Sequence, residues 1–228
     1  MSKPAPKPGD AQGSSFKMLR AMVGIGITSA LLIVLAFELT RPRVQKLKAA
    51  ALEQAILEVL PGTDSTHMLG VSASGELVDI KDAEQDQRIL YAGYDETGEL
   101  VGYAIEAAGQ GYADVIRILY GYDPEQQEVI GFQVLESKET PGLGDKIEKE
   151  QQFLENFQAL DLSVNSEGKL KNQVVTVKPG EKEKPWQVEG ISGATISSRA
   201  VGDMIGRSAT EVVPLLHNRY QQKRGSHE

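Results

Sequence analysis

The stretch that most constrains how this chain folds is residues 21–37, whose seventeen residues carry no charge. Seventeen residues is at the lower end of the length that a helix needs to cross the hydrocarbon core of a bilayer. The stretch is longer than the apolar part of a signal peptide, about 7–15 residues, and no small-x-small cleavage site follows closely. We therefore predict a retained transmembrane anchor over residues 16–40, preceded by a disordered tail over residues 1–15.

The orientation of this anchor cannot be derived from charge. Four basic residues precede the apolar stretch and four follow it, so the positive-inside rule gives no preference. They are Lys3, Lys7, Lys17 and Arg20 before the stretch, and Arg41, Arg43, Lys46 and Lys48 after it.

The remaining chain is long enough for one sizeable core, since it has 228 residues in total and 40% hydrophobic content. Apolar residues recur at helical spacing between Val44 and Leu60, and Pro61-Gly62 is a helix-ending pair. We predict a stalk helix within residues 41–62, a main domain over residues 63–220 and a polar tail over residues 221–228.

Composition excludes several kinds of chemistry. The chain has no cysteine, so it forms no disulfide, no thiolate metal site and no iron–sulfur cluster of its own. His67, His217 and His227 are far apart in sequence and form no ligand pair, so we predict no metal site. The formal net charge of −8 and the lack of a basic stripe argue against a nucleic-acid partner. Redox chemistry would therefore require an organic cofactor.

Alternating apolar residues begin near Arg88, which is typical of strands. Short segments are separated by turn residues such as Asp95-Glu-Thr-Gly98 and Asp123-Pro124. The predicted strands are residues 89–94, 100–106, 115–120, 129–135 and 174–178. The predicted fold class is α+β, with a single N-terminal transmembrane helix followed by an antiparallel β-meander packed with helices. Gly109-Gln-Gly111 lacks the strand–helix context of a nucleotide fingerprint and is predicted to be a loop.

Residues 139–144, Glu-Thr-Pro-Gly-Leu-Gly, form the first of two informative motifs. Pro141-Gly142 predicts a tight turn, and Gly144 predicts a second backbone reversal. Asp145 and Glu148 have the spacing of a capping box at the start of a following helix. On these residues alone, the motif is compatible with an ordinary corner between a strand and a helix.

Residues 189–198, Glu-Gly-Ile-Ser-Gly-Ala-Thr-Ile-Ser-Ser, form the second motif. Apolar residues at three- and four-residue steps follow it, which predicts a helix to about Arg219. A helix start offers unpaired N–H groups and the positive end of a dipole, and small residues allow a phosphate to approach. The other interpretation is that Ser192, Ser197 or Ser198 only caps the helix.

The second motif resembles the attachment site of the FMN-binding domain family. In that family FMN is joined through its phosphate to the threonine of the motif, and the resemblance assigns this role to Thr195. It also implies that Ser192, Gly193 and Ala194 bind the cofactor. The family pattern usually has Asp three residues before the Ser, where this chain has Glu189. The 139–144 segment resembles the family loop that contacts the flavin ring, which implies contacts from Thr140, Pro141, Gly142, Leu143 and Gly144.

Within that family, the anchor and the spacing of the two motifs are most similar to the G subunits of Rnf-type ion-translocating electron-transport complexes. The resemblance implies a covalent FMN and partners among the other membrane subunits, with a flavin transferase for attachment. It also implies a bacterial inner (cytoplasmic) membrane location, with the flavin domain on the periplasmic side. The C subunits of sodium-translocating NADH:quinone oxidoreductases share both motifs and are the alternative.

The residues themselves give no sign of independent catalysis. Neither motif has an acid–base pair or a substrate-orienting arginine nearby, and no dinucleotide fingerprint accompanies them. We therefore predict no catalytic residues in this chain and a role in carrying electrons within a larger translocase. A non-redox, membrane-anchored assembly domain remains a hypothesis from another class.

Overall fold

A computed structural model describes residues 10–72, 76–80 and 88–225 of the chain. Two compact units are present, one up to Ala50 and one from Ala51 onward. The first consists of helix, and the second contains two sheets and the remaining helices. The disordered tail predicted for residues 1–15 lies mostly outside the described residues, but helix is already present from Asp10.

Helix α1 extends from Asp10 to Val59 and contains Pro42 without a break. Two positions before this proline, the Thr40 hydroxyl donates to the carbonyl of Ala36 at 2.9 Å. The apolar side chains of the first unit are exposed, among them Ile33 at 71%. Of the helices in the described part of the chain, this one is long and apolar enough to cross a membrane. Because it is continuous, the limits of anchor and stalk stay predictions.

The second unit is built on a seven-stranded sheet in which every neighbouring pair is antiparallel. The order across the sheet is β2-β1-β3-β4-β5-β6-β7, so the central strands follow chain order. The strands are β1 Ser65–Val71, β2 Leu77–Asp79, β3 Ile89–Tyr94, β4 Leu100–Gln110, β5 Val115–Asp123, β6 Glu128–Glu136 and β7 Leu160–Asp161. The predicted α+β class with an antiparallel meander is confirmed.

A smaller parallel pair and a long helix complete the unit. Strands β8 (Val175–Val177) and β9 (Gln187–Glu189) pair in parallel. Helix α3 covers Thr195–Gly225 and so continues beyond the predicted end at Arg219. It packs on the sheet, where the buried Tyr120 hydroxyl donates to Ser208 Oγ at 3.0 Å. This buried hydrogen bond helps to fix α3 over β5.

The alternation of side chains along the strands gives the sheet two apolar faces. One face packs with α3 and the short helices around Ile105, Tyr120 and Ile205. The other face packs with the end of α1, where Val59 and Leu60 are fully buried. The helix end approaches so closely that a Cβ on Gly121 would collide with the carbonyl oxygen of Val59, and one on Gly131 would lie 2.6 Å from its Cα.

Two local predictions were wrong. Gly109 and Gln110 are the last residues of β4 and pair with Ile116 and Val115, so they are not loop. The predicted capped helix after residue 144 is instead three short pieces: a 3-10 helix at Gly144–Glu148, α2 at Gln151–Leu154 and a 3-10 helix at Glu155–Phe157. Leu143, at the N-cap position of the first, makes no side-chain cap.

Candidate functional site

Thr195 is the first residue of α3, and the chain turns into the helix at Gly193, whose φ is +84°. The backbone N–H of Ala194 donates to Ile191 O at 3.1 Å, and that of Ser198 donates to Ala194 O at 2.9 Å. Within the described chain, the N–H groups of Thr195, Ile196 and Ser197 have no backbone acceptor. Three N–H donors are therefore left without a backbone partner at the positive end of a 31-residue helix.

The hydroxyl of Thr195 is accessible to a reagent from solvent. Its side chain is exposed, and Oγ1 has no hydrogen-bond partner among the described residues. Neighbouring hydroxyls are occupied, because Ser198 is buried and donates to Ala194 O at 3.0 Å while accepting from Ile191 N. Neither Ser197 nor Ser198 precedes the helix, so neither acts as its N-cap.

The loop after β6 has the turn that its sequence predicts. Leu143 N donates to Thr140 O at 3.1 Å, Pro141 occupies the second position and Gly142 has φ +77°, which is the pattern of a type II turn. Asp145 Oδ1 accepts from Gly142 N at 2.6 Å, so this carboxylate supports the turn rather than a capping box. Lys149 lies 2.7 Å from Asp145 Oδ2, and this hydrogen bond lowers the Asp145 pKa below its usual value.

Both motifs border one cavity of about 360 Å³. The predicted residues that line it are Thr140, Leu143, Gly144, Gly193, Ala194 and Thr195. Ser192, Pro141 and Gly142, which were also predicted, do not line it and are exposed. The structure thus brings together segments that are about fifty positions apart in sequence.

Four further residues line the cavity to which the sequence assigned no contact with the cofactor: Tyr112, Glu139, Ile196 and Ser197. Tyr112 lies in the short loop between β4 and β5, and the loop's position beside the two motifs depends on strand pairing. Ile196 and Ser197 lie within the 189–198 motif, but neither was assigned a contact with the cofactor. Nothing in the local sequence identifies Glu139 as buried.

Three large apolar side chains surround the mouth of the cavity and face solvent. Tyr112 is 67% exposed, Leu143 52% and Ile196 54%. Each comes from a different segment: the β4–β5 loop, the turn after β6 and the start of α3. An apolar rim next to free N–H donors fits a ligand that has a flat aromatic part and an anionic part, and therefore fits FMN.

Glu139 lies at the base of the cavity and is only 6% exposed. Its Oε1 accepts from the backbone N–H of Ala113 at 3.0 Å. Its Oε2 accepts from the hydroxyl of Ser197 at 2.5 Å. The carboxylate therefore contacts both the β4–β5 loop and the start of α3.

Glu189 occupies the acidic position before the threonine motif but does not line the cavity. Its Oε1 accepts from Gly180 N at 2.6 Å and from Gln152 Nε2 at 3.3 Å. The backbone of Glu189 is held by Asn156, whose Oδ1 accepts from Glu189 N at 2.9 Å. In this chain the acidic residue thus anchors the strand that leads into the motif.

A second cavity of about 670 Å³ lies beside α3, on the side of β3–β5, and contains none of the predicted residues. Four of its five charged side chains form ion pairs, since Arg88 is 2.5 Å from Glu211 and Arg117 contacts Glu106, while Arg207 donates to the backbone carbonyl of Asp203. The two motifs and the apolar rim therefore distinguish the smaller cavity as the candidate site.

Comparison with known proteins gives consistent matches. A model of the FMN-binding domain family matches residues 111–210. The G subunit of the ion-translocating oxidoreductase complex of Methanosarcina acetivorans is 32% identical over 197 residues, which is 86% of this chain and 93% of that protein. The protein with the same description from Haemophilus influenzae is 35% identical over 175 residues, 76% of this chain and 78% of that protein.

Two solved structures have a fold similar to that of this chain. NqrC of Shewanella oneidensis has a TM-score of 0.62 with 18% identity, and the match covers 78% of this chain and 99% of that one. The C subunit of the Na(+)-translocating NADH-quinone reductase of Parabacteroides distasonis has a TM-score of 0.60 with 24% identity, covering 76% and 95%. These two matches support the fold that the strand order and the helices describe.

Proposed function

The chain belongs to the family of G subunits of ion-translocating oxidoreductase complexes, and on that premise we propose that it carries electrons within such a complex by means of FMN attached covalently to Thr195. The observation that carries this proposal is the position of the Thr195 hydroxyl. It is exposed and unpaired among the described residues, and Thr195 lines the same cavity as the residues of the three free N–H donors and the apolar rim.

The start of α3 supplies the interactions that a phosphate needs. The N–H groups of Thr195, Ile196 and Ser197 are free to donate to phosphate oxygens. A phosphodiester keeps one negative charge, and the helix dipole stabilises a charge at this end by about 0.3–1 kcal/mol. Gly193 has no side chain to obstruct the approach of the phosphate to the backbone.

The rim supplies the surface for the ring system. Tyr112, Leu143 and Ile196 are positioned to cover the apolar faces of an aromatic ring and to exclude water from it. When bound, the flavin supplies the redox chemistry, while the protein supplies position and electrostatics. Covalent attachment keeps the cofactor in place between successive electron transfers.

The chain's own residues offer little for independent catalysis. The ionisable side chains that line the cavity are Tyr112 and Glu139, and both carboxylate oxygens of Glu139 already accept hydrogen bonds. We therefore assign electron transfer to this protein and the overall reaction to the complex. The partners are other membrane subunits of the complex and the transferase that attaches the flavin.

The apolar helix supports a location in the bacterial inner membrane, with a single span. The flavin domain is proposed to lie on the periplasmic side, as the family resemblance implies. Labelling of a cysteine introduced at exposed Glu148 with a membrane-impermeant reagent in intact cells tests this placement, because the natural chain has no cysteine. Labelling only after the cells are broken would contradict it.

Attachment is tested by co-expressing the full chain with a flavin transferase and viewing a denaturing gel under ultraviolet light. Only covalently held flavin remains in the protein band. We expect fluorescence from the natural chain and none from Thr195→Ala, whereas Ser192→Ala and Thr140→Ala retain it. Fluorescence in Thr195→Ala, or its absence from the folded natural chain, would contradict the proposal.

The structural similarity to C subunits of sodium-translocating NADH:quinone reductases favours a second candidate, a role as the C component of such an enzyme. The two assignments differ in the proteins that assemble with the chain. Affinity purification of the full chain from its native membrane, followed by identification of the retained proteins, separates them. We expect components of the G-containing complex.

A further inference from the structure

We propose that Glu139 is a positioning residue that holds the three walls of the cavity in place before any ligand binds. The walls are the β4–β5 loop with Tyr112, the turn with Leu143, and the start of α3 with Ile196. The inference concerns the cavity of the protein itself, and only its consequence for the flavin rests on the proposed function.

The hydrogen bonds of Glu139 reach two of these walls directly. Oε1 accepts from Ala113 N, which directly follows Tyr112 in sequence. Oε2 accepts from Ser197 Oγ, which directly follows Ile196. The third wall is covalently continuous with Glu139, since Leu143 lies four positions later. One side chain therefore connects Tyr112 and Ile196 through their immediate neighbours, and the chain itself connects Leu143 to the same residue.

Two glycines allow this close approach. A Cβ on Gly111 would collide with Glu139 Oε1, and a Cβ on Gly144 would collide with Oε2. Neither glycine has a positive φ, so the backbone conformation does not require glycine at these positions. The absence of a side chain there leaves space for the carboxylate.

Burial of this carboxylate needs compensation. A charged group taken out of water is costly unless hydrogen bonds and favourable charges replace the solvent. The nearest lysine in sequence, Lys138, is engaged elsewhere, with Nζ 2.8 Å from Asp114 Oδ2. The two donors and the positive end of α3 supply the compensation. Since both donors belong to cavity walls, the interactions that stabilise the carboxylate also fix the cavity.

A glutamine at this position separates hydrogen bonding from charge. Its oxygen accepts from Ala113 N, while its amide donates to Ser197 Oγ, because a hydroxyl can accept as well as donate. Glu139→Gln therefore retains both connections without the charge, and Glu139→Ala removes both. Glu148→Gln is the matched control, because Glu148 is exposed and does not line the cavity.

Hydrogen exchange of the full chain without flavin provides the test. We expect the amide of Ala113 to exchange at least about tenfold faster in Glu139→Ala, as for the loss of a charge-assisted hydrogen bond. Glu139→Gln and Glu148→Gln are expected to exchange at close to the natural rate. Peptides from β5 report global unfolding and should not change. If Glu139→Ala does not fold, Ser197→Ala removes one connection alone and should give an intermediate rate.

The flavin-loaded protein provides a second measurement. Visible circular dichroism of the flavin reports how rigidly the ring is held, and we expect Glu139→Ala to weaken it and Glu139→Gln to restore it. Unchanged exchange at Ala113 in Glu139→Ala would overturn the inference, as would a Gln variant as defective as the Ala variant. Absence of flavin from the natural chain would contradict only the proposed function, because the exchange measurement needs none.

Discussion

The hydroxyl of Ser197 donates a 2.5 Å hydrogen bond to the carboxylate of Glu139, although the two residues are 58 positions apart in sequence. The bond joins the residue just before the Thr-Pro-Gly-Leu-Gly loop to the residue just after Ile196. Two motifs that the sequence separates are therefore parts of one site. Their relative position follows from the fold of the second unit.

A charge placed on the apolar rim should change the midpoint potential of the flavin without preventing its attachment. In Leu143→Glu, a carboxylate replaces an apolar side chain that is 52% exposed, so the fold should tolerate the change. Two unit charges about 4 Å apart interact by about 1 kcal/mol in water and about 4 kcal/mol near a protein surface. We expect a lower midpoint potential, because a negative charge disfavours added electrons. Redox titration measures it.

The control for this variant is Val115→Glu, which introduces the same charge at an exposed apolar residue outside the cavity. It should leave the potential close to that of the natural chain. Equal potentials in all three proteins would show that Leu143 does not contact the ring.

Substitution by alanine should lower the free energy of unfolding by different amounts at Gly142 and at Gly144. Gly142 has φ +77° and open space around it, so Gly142→Ala should cost about 1 kcal/mol of unfolding free energy through backbone strain alone. Gly144→Ala should cost about 1–3 kcal/mol, because the new methyl group collides with Glu139. Denaturant unfolding gives both values. A smaller loss for Gly144→Ala than for Gly142→Ala would contradict the described packing.

Gly121→Ala should be among the more damaging substitutions in the sheet. The new methyl group would collide with the backbone carbonyl of Val59, which cannot rotate away as a side chain can. We expect a loss of at least about 1–3 kcal/mol. Gly26→Ala is the control, since no atom lies within 4 Å of its added Cβ. Thermal unfolding of the full chain in detergent compares them, and equal midpoints would count against the close approach.

Buried tyrosines should make the domain sensitive to alkali. Burial raises the pKa of Tyr103 from 10.0 to about 12, and it also raises the pKa values of Tyr120 and Tyr122. Folding favours the neutral phenol, so this contribution to stability is complete below pH 10 and is lost as the pH rises toward 12. Tyrosinate absorbance during alkaline titration should show a late group of tyrosines. In denaturant all tyrosines should ionise together, near the ordinary pKa of 10.0.

The sequence predicted the parts of the fold that depend on local signals. Apolar and polar residues alternate along strands β3 to β6, and recognisable turn residues separate these strands. Their existence and their order along the chain could therefore be predicted. Strand β1 was missed because Ser65, Thr66 and His67 are exposed and leave little apolar alternation. Strand β8 lies within the predicted strand at residues 174–178, whereas β9 was not predicted because it has only three residues and its partner is twelve positions away, as for Gln187 and Val175.

The candidate site also combines residues that local sequence identifies with residues whose contacts are distant in sequence. The turn at Pro141-Gly142 was predicted from its own residues and is present, whereas the role of Thr195 is a prediction that rests on the family resemblance of the 189–198 motif. Glu139 begins the 139–144 motif but was assigned no role, because its hydrogen bonds are to Ala113 and Ser197, which are 26 and 58 positions away. Tyr112 reaches the cavity only because the pairing of β4 with β5 places their loop there. Contacts between residues so far apart cannot be predicted from the neighbouring residues in the sequence.

Solvent exposure of Thr195 has a consequence for when the protein matures. A second protein can reach this hydroxyl without unfolding any described element, since the side chain faces outward at the first turn of α3. The proposed attachment of FMN at Thr195 is thus compatible with a chain that has already folded.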